Sequence, residues 1–139
     1  MRQSSHTLTV ACRAQELCEF TAELHRFVAD TGIRDGMLTV FCRHTSASLV
    51  IQENADPDVC ADLQTFFSRL VPEDDSAYRH KIEGLDDMPA HIRAALTQSS
   101  LAIPVIGGRL GLGTWQGAYL WEHRRTNHHR EVLLHLIGE

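Results

Sequence analysis

The chain predicts an α+β fold: one compact domain built on a large, mainly antiparallel β-sheet or sandwich, with about three helices. Three observations carry that expectation. The 139 residues, 43% of them apolar, are enough to bury one core, and no shift in composition marks a second domain within residues 1–139. Alternation of period two dominates both ends of the chain, whereas helical spacing is confined to interior segments. The resulting order of strands, helix, strands, two helices and strands is not the strict alternation of a doubly wound sheet.

His6 to Cys12 alternates threonines with Leu8 and Val10 and reads as a first strand, with a short second one through Leu17 to Phe20. Phe20, Leu24, Phe27 and Val28 recur at helical spacing, and Thr31-Gly32 supplies a stop, which predicts a helix over 21–30. Gly36 opens a strand over 37–44 in which Leu38, Val40, Cys42 and His44 share one face, so that His44 ends an apolar row. Ser48 to Gln52 continues as a strand. Asp56-Pro57 is a helix start, cap followed by proline at the first helical position, and Val59, Leu63, Phe66, Phe67 and Leu70 form a stripe expected to be buried before the helix ends near Val71-Pro72.

Residues 73–86 form a polar, acidic loop of a length that usually signals function or disorder, and His80 with Glu83-Gly84 points to function. Asp87-Met88-Pro89 begins a further helix carrying His91, Ile92 and Leu96. The last third is expected to be β again: Leu101 to Ile106, a Gly107-Gly108 turn, Arg109 to His123, and Glu131 to Ile137. Trp115, Tyr119 and Trp121 alternate along one face there, an aromatic stripe suited to a core or a subunit interface.

The formal net charge of −5 argues against a nucleic-acid or anionic-membrane binder, both of which need a basic face. No apolar run approaches the roughly 20 residues of a membrane span, and the N-terminus lacks a signal-peptide core, which predicts a cytoplasmic protein. Cys12, Cys18, Cys42 and Cys60 contain no C-x-x-C pair, and free buried thiols are expected.

The chemistry-bearing residues centre on His44, His80 and His91. Neutral imidazoles bind divalent metals, and a catalytic zinc usually takes three protein ligands and leaves a position open. Imidazole also disfavours magnesium. The eleven-residue gap from His80 to His91 rules out the H-E-x-x-H zinc helix. Glu53 and Asp86 are the acid/base candidates. Asp56 is assigned to helix capping, whereas Glu53 has no evident cap to make. The glycine-rich Gly107–Gly117 run lacks the spacing of either nucleotide-binding fingerprint, and its glycines favour bulges or close backbone approach. Arg109, Thr114, Gln116 and Arg124 are candidates for holding an anion.

His44-Thr45-Ser46-Ala47-Ser48-Leu49, Glu53-Asn54-Ala55-Asp56-Pro57, Asp86-Asp87-Met88-Pro89-Ala90-His91-Ile92, Gly113-Thr114-Trp115-Gln116-Gly117 and Trp121-Glu122-His123-Arg124 occur in one order. This resembles the YjbQ family, also called the secondary thiamine-phosphate synthase family. The resemblance implies a homotrimer with a histidine-lined pocket near the subunit boundary, here His44, His80 and His91. It also implies condensation of a pyrimidine pyrophosphate with a thiazole phosphate. Many relatives carry aspartate after the loop histidine, where this chain has Lys81. The leading expectation is a metal-assisted enzyme on a small phosphorylated metabolite, with a divalent ion, zinc before others. The alternative is a non-catalytic module that holds a metabolite or metal in the same pocket.

Overall fold

The computed structural model describes residues 1–139 and contains eleven elements: β1 (Arg2–Cys12), β2 (Leu17–Glu19), α1 (Thr21–Thr31), β3 (Gly36–Cys42), β4 (Ala47–Glu53), α2 (Pro57–Leu70), α3 (Asp87–Leu96), β5 (Ser100–Ile106), β6 (Arg109–Leu110), β7 (Gln116–Glu122) and β8 (His128–Gly138). The strands form a five-stranded sheet ordered β1-β8-β3-β5-β6 and a three-stranded sheet ordered β2-β7-β4. Every pairing is antiparallel. The α+β architecture expected from the sequence is the one observed, and no helix is long and apolar enough to cross a membrane.

Alternation explains how the core forms. In β3, Leu38, Val40 and Cys42 turn inward, and in register beside them lie Leu101 and Ile103 of β5 and Val132, Leu134 and Leu136 of β8. Against this face pack Leu49 of β4 and Ala118 and Leu120 of β7, while α1 adds Leu24 and Val28. Gly32 ends α1 in the left-handed conformation (φ 70°), the helix stop that glycine provides without steric cost. Gly36 and Gly138 face each other where β3 meets β8. A Cβ on Gly36 would come within 2.2 Å of the Ile137 carbonyl oxygen.

Several expectations are corrected. The expected strand from Arg109 to His123 is broken: β6 ends at Leu110, residues 111–115 turn, and β7 starts at Gln116. Trp115 therefore leaves the aromatic row and is 62% exposed, whereas Tyr119 and Trp121 are buried inside the subunit. Trp121 lies under α2, edge-on to Phe67 at 4.8 Å between ring centres, with its indole N–H donating to Gln64 Oε1 at 2.8 Å. The stripe of α2 is not buried as expected: Val59, Leu63 and Phe67 are only partly covered, and Phe66 and Leu70 are 59% and 54% exposed. Finally, Cys12 and Cys18 form a disulfide joining the end of β1 to β2, so free thiols hold only for Cys42 and Cys60.

A candidate metal centre of two histidines and one aspartate

Residues 73–86, expected as a long loop, are tied down by their own polar groups. Asp75 accepts from the backbone N–H of Ala77 and Tyr78, Tyr78 donates its hydroxyl hydrogen to the Pro72 carbonyl, and Gly84 at φ 107° makes the last turn before α3. This delivers His80 to the first turn of α3. On that helix Asp87 and His91 stand four residues apart and so share a face. His80 Nε2 lies 2.7 Å and His91 Nε2 3.0 Å from the same oxygen, Asp87 Oδ2. The three donor atoms all fall within 4.8 Å of one another.

Proton placement makes this cluster chemically specific. His91 Nδ1 is 2.8 Å from the Thr45 carbonyl oxygen, which only accepts, so Nδ1 carries a hydrogen. In the neutral ring Nε2 is then a bare lone pair aimed at a carboxylate oxygen. That juxtaposition is repulsive unless a proton or a metal cation lies between them.

Asp87 is nearly fully buried, and its other oxygen, Oδ1, is held at 2.9 Å by Nη1 of Arg124. Burial alone would raise the Asp87 pKa, but hydrogen bonds and charge from His80, His91 and Arg124 outweigh it and hold the carboxyl below its usual range. The same arginine reaches Asp86 through Nε (2.9 Å) and Nη2 (3.3 Å) and the Glu83 carbonyl through Nη2 (2.9 Å). The Arg124 hydrogen bond outweighs burial and, with a further contribution from the Arg125 backbone N–H, holds the Asp86 carboxyl below its usual range.

The family model described as "UPF0047 protein YjbQ-like" matches residues 6–139. The chain belongs to the YjbQ/UPF0047 family. It is 57% identical over 138 residues to the UPF0047 protein sll1880 of Synechocystis, covering 99% of this chain and 94% of that one. Against the UPF0047 protein YjbQ of Escherichia coli O157:H7 it is 42% identical over 134 residues, with 96% of each chain covered. A crystal structure of a yjbq/upf0047-family protein from Clostridium acetobutylicum, described as uncharacterized, superposes with a TM-score of 0.84 at 36% identity, covering 96% of this chain and 99% of that one.

In this YjbQ-family protein His44 does not join the other two histidines on one point. It lies past the end of β3, where its Nε2 accepts the Glu131 backbone N–H at 2.7 Å. Its ring nevertheless lines, with His91, a cavity of about 280 Å³. Burial, then the charge of Arg130, lowers the His44 pKa and keeps the ring neutral. Lys81 is exposed, and the carboxylate beside His80 comes from Asp87 instead. Asp87 is the residue that sequence reasoning left out of the site. Its i, i+4 spacing to His91 was the available signal.

Glu53 stands at the far end of β4 from Ala47, roughly 20 Å away at about 3.3 Å per residue. Its Oε2 accepts the Asp56 N–H at 2.9 Å, the local duty the sequence did not reveal, while Asp56 caps α2 through the Asp58 N–H as expected. Glu53 pairs in register with Gln116, whose side chain accepts the Gly113 N–H, and Thr114 lies in the same turn. Gly117 lies against Glu19 and Asn54, and a Cβ there would displace the Glu19 carboxylate, whose Oε2 would be 2.5 Å away. Arg109 pairs with Ile106, at the opposite end of β5 from Ser100. Of the four anion-binding candidates only Arg124 is at the histidine centre, and its guanidinium is committed to Asp86 and Asp87.

Glu122, His123 and Arg130 form a buried polar row, a burial the sequence did not foretell. Glu122 is fully buried and accepts from Arg130 Nε (2.7 Å) and Nη2 (2.6 Å), and Arg130 Nη2 also donates to Ser46 Oγ at 3.0 Å. One residue on, His123 Nε2 meets Ser48 Oγ at 2.8 Å. Burial, followed by the charges of Arg93 and Arg130, pushes the His123 pKa down to about 3.

Proposed function

We propose that His80, Asp87 and His91 bind one divalent metal, zinc before others, and that the centre acts on a small phosphorylated metabolite. The observation that carries this reading is the lone pair of His91 Nε2 facing Asp87 Oδ2, with His80 Nε2 on the same oxygen. Two imidazoles and a carboxylate are a donor set that zinc, iron(II) and manganese accept, and three protein ligands leave positions for water or substrate. Around them Thr45 fixes the ring of His91, and Arg124 fixes the plane of Asp87. A bound divalent ion would supply stabilisation of negative charge on a departing pyrophosphate. That is the demand of the thiamine-phosphate-forming condensation suggested by the family resemblance.

The test is titration of metal-depleted protein with zinc by calorimetry, beside elemental analysis of untreated protein. One ion per subunit is expected for the wild type, with none for Asp87→Ala or His91→Ala. Arg124→Ala should keep the ligands but weaken binding about 10- to 100-fold. A wild-type protein without affinity for zinc, iron(II) or manganese ends the metal reading.

One observation favours the non-catalytic alternative. Asp86 and Asp87 are both held by Arg124, and Glu53 is remote, so neither acid/base candidate read from the sequence is free to act as general base at the centre. Metal binding without turnover of a pyrimidine pyrophosphate and a thiazole phosphate would select that alternative.

We infer a homotrimer as well, its number taken from the family resemblance. The aromatic stripe first expected at the interface is largely internal. Exposed apolar surface lies instead on the outer face of the five-stranded sheet, where Met37 and Ile137 stand in register and Phe41 projects from the same face. Phe41→Glu is expected to shift the species measured by light scattering from three subunits toward one. An unchanged mass would exclude this face as the interface.

A further inference from the structure

His44 has one ring edge committed and one free. The Glu131 backbone N–H can only donate, so Nε2 of His44 must be the unprotonated nitrogen and the hydrogen of the neutral ring sits on Nδ1. No protein group accepts that hydrogen: the Glu131 bond is the sole hydrogen bond of the His44 ring. The cavity of about 280 Å³ is lined by His44 and His91, by the small side chains of Ala94 and Ala95 on α3, and by Thr45 and Ser99. The volume suits a small group rather than a whole nucleotide.

We propose that this cavity is the ligand subsite of the histidine centre and that His44, through Nδ1–H, grips an oxyanion group of the ligand, a phosphate or a carboxylate. His44 is thus a substrate-binding residue and not a metal ligand. A fixed neutral donor fits this task, because the N–H is oriented before the ligand arrives. The proposal rests on the His80–Asp87–His91 centre as the functional one, but the His44 hydrogen bond and the cavity exist independently of any ion.

The experiment uses full-length protein, metal-depleted and zinc-loaded, titrated with inorganic phosphate and with oxalate. Long-range nitrogen–proton NMR of the histidine rings follows the titration. In the free wild type His44 is expected as the Nδ1–H tautomer, with its Nδ1 resonance moving on addition of the bound anion. The tighter of the two anions names the group. His44→Asn keeps a donor near the Nδ1 position, and His44→Phe has none. The phenylalanine variant should bind the anion about 10- to 100-fold more weakly, the asparagine variant should recover most of that loss, and both should keep wild-type zinc affinity. Thermal melts confirm that both are folded, and the wild-type tautomer provides a test that needs no variant. Loss of zinc affinity in both variants would make His44 a metal ligand and overturn the proposal. So would an Nε2–H tautomer, unchanged anion binding by His44→Phe, or no binding of either anion by wild type. A wild type that takes up no metal yet binds anion through His44 would sink the metal reading alone.

Discussion

Arg130→Met is expected to destabilise the domain by about 3–5 kcal/mol, because it strands the Glu122 carboxylate in the interior. Glu122 has no exposed surface, and two of its hydrogen bonds come from Arg130 at 2.7 and 2.6 Å. Its remaining backbone partner, the Arg124 N–H at 3.0 Å, cannot replace a guanidinium. For a chain of this size the loss corresponds to a fall in Tm of roughly 10 °C or more. The double variant Glu122→Leu/Arg130→Met should regain much of it, since a buried ion pair stabilises little beyond what well-packed apolar side chains achieve. Equilibrium urea unfolding of the two single variants and the double variant measures the coupling. Additive losses would mean that the two side chains do not form a coupled pair in solution.

Stability should also fall as the solution is made acidic, with His123 a principal cause. The folded protein keeps this ring neutral down to about pH 3, whereas the unfolded chain protonates it near its ordinary 6.5. Between those values the unfolded state binds the extra proton, so stability rises with pH across the window and drops on acidification. At about 1.4 kcal/mol per pH unit the loss at pH 5 is roughly 2 kcal/mol. Above pH 6.5 the group contributes no pH dependence. His123→Gln, which can still reach Ser48, removes the titrating group, so its unfolding free energy should depend less on pH between 7 and 5 by that amount. Parallel curves for wild type and variant would show that His123 titrates normally in the native state.

Both predictions arise from residues whose burial the sequence reading did not anticipate. Nothing local marks Glu122, His123 and Arg130 as buried, because all three are polar side chains whose partners lie elsewhere in the chain: Ser46 is 84 residues from Arg130, and Ser48 is 75 from His123. The strands, the caps and α1 were legible because their causes are local. Alternation places Leu38, Val40 and Cys42 on one face whatever pairs with them, Asp56 accepts from a residue two positions on, and Gly32 stops its helix by its own φ angle. The aromatic row failed for the opposite reason. Its alternation presumed one continuous strand, and the break before Gln116 turned Trp115 out to solvent.

The site divides along the same line. Local chemistry alone marked His80 and His91 as paired across an acidic loop, and helical periodicity could have added Asp87 to them. Only the folded chain could decide that Glu53 lies a strand length away, that Arg124 locks Asp86 and Asp87 rather than waiting for phosphate, and that His44 spends its Nε2 on a backbone amide 87 residues downstream. The sequence determined which groups can ligate, donate or cap, because those properties belong to the side chains. Which of them meet was decided by the antiparallel register of β3 with β8 and the seating of α3 against β4, since convergence depends on long-range packing that no window of neighbouring residues contains.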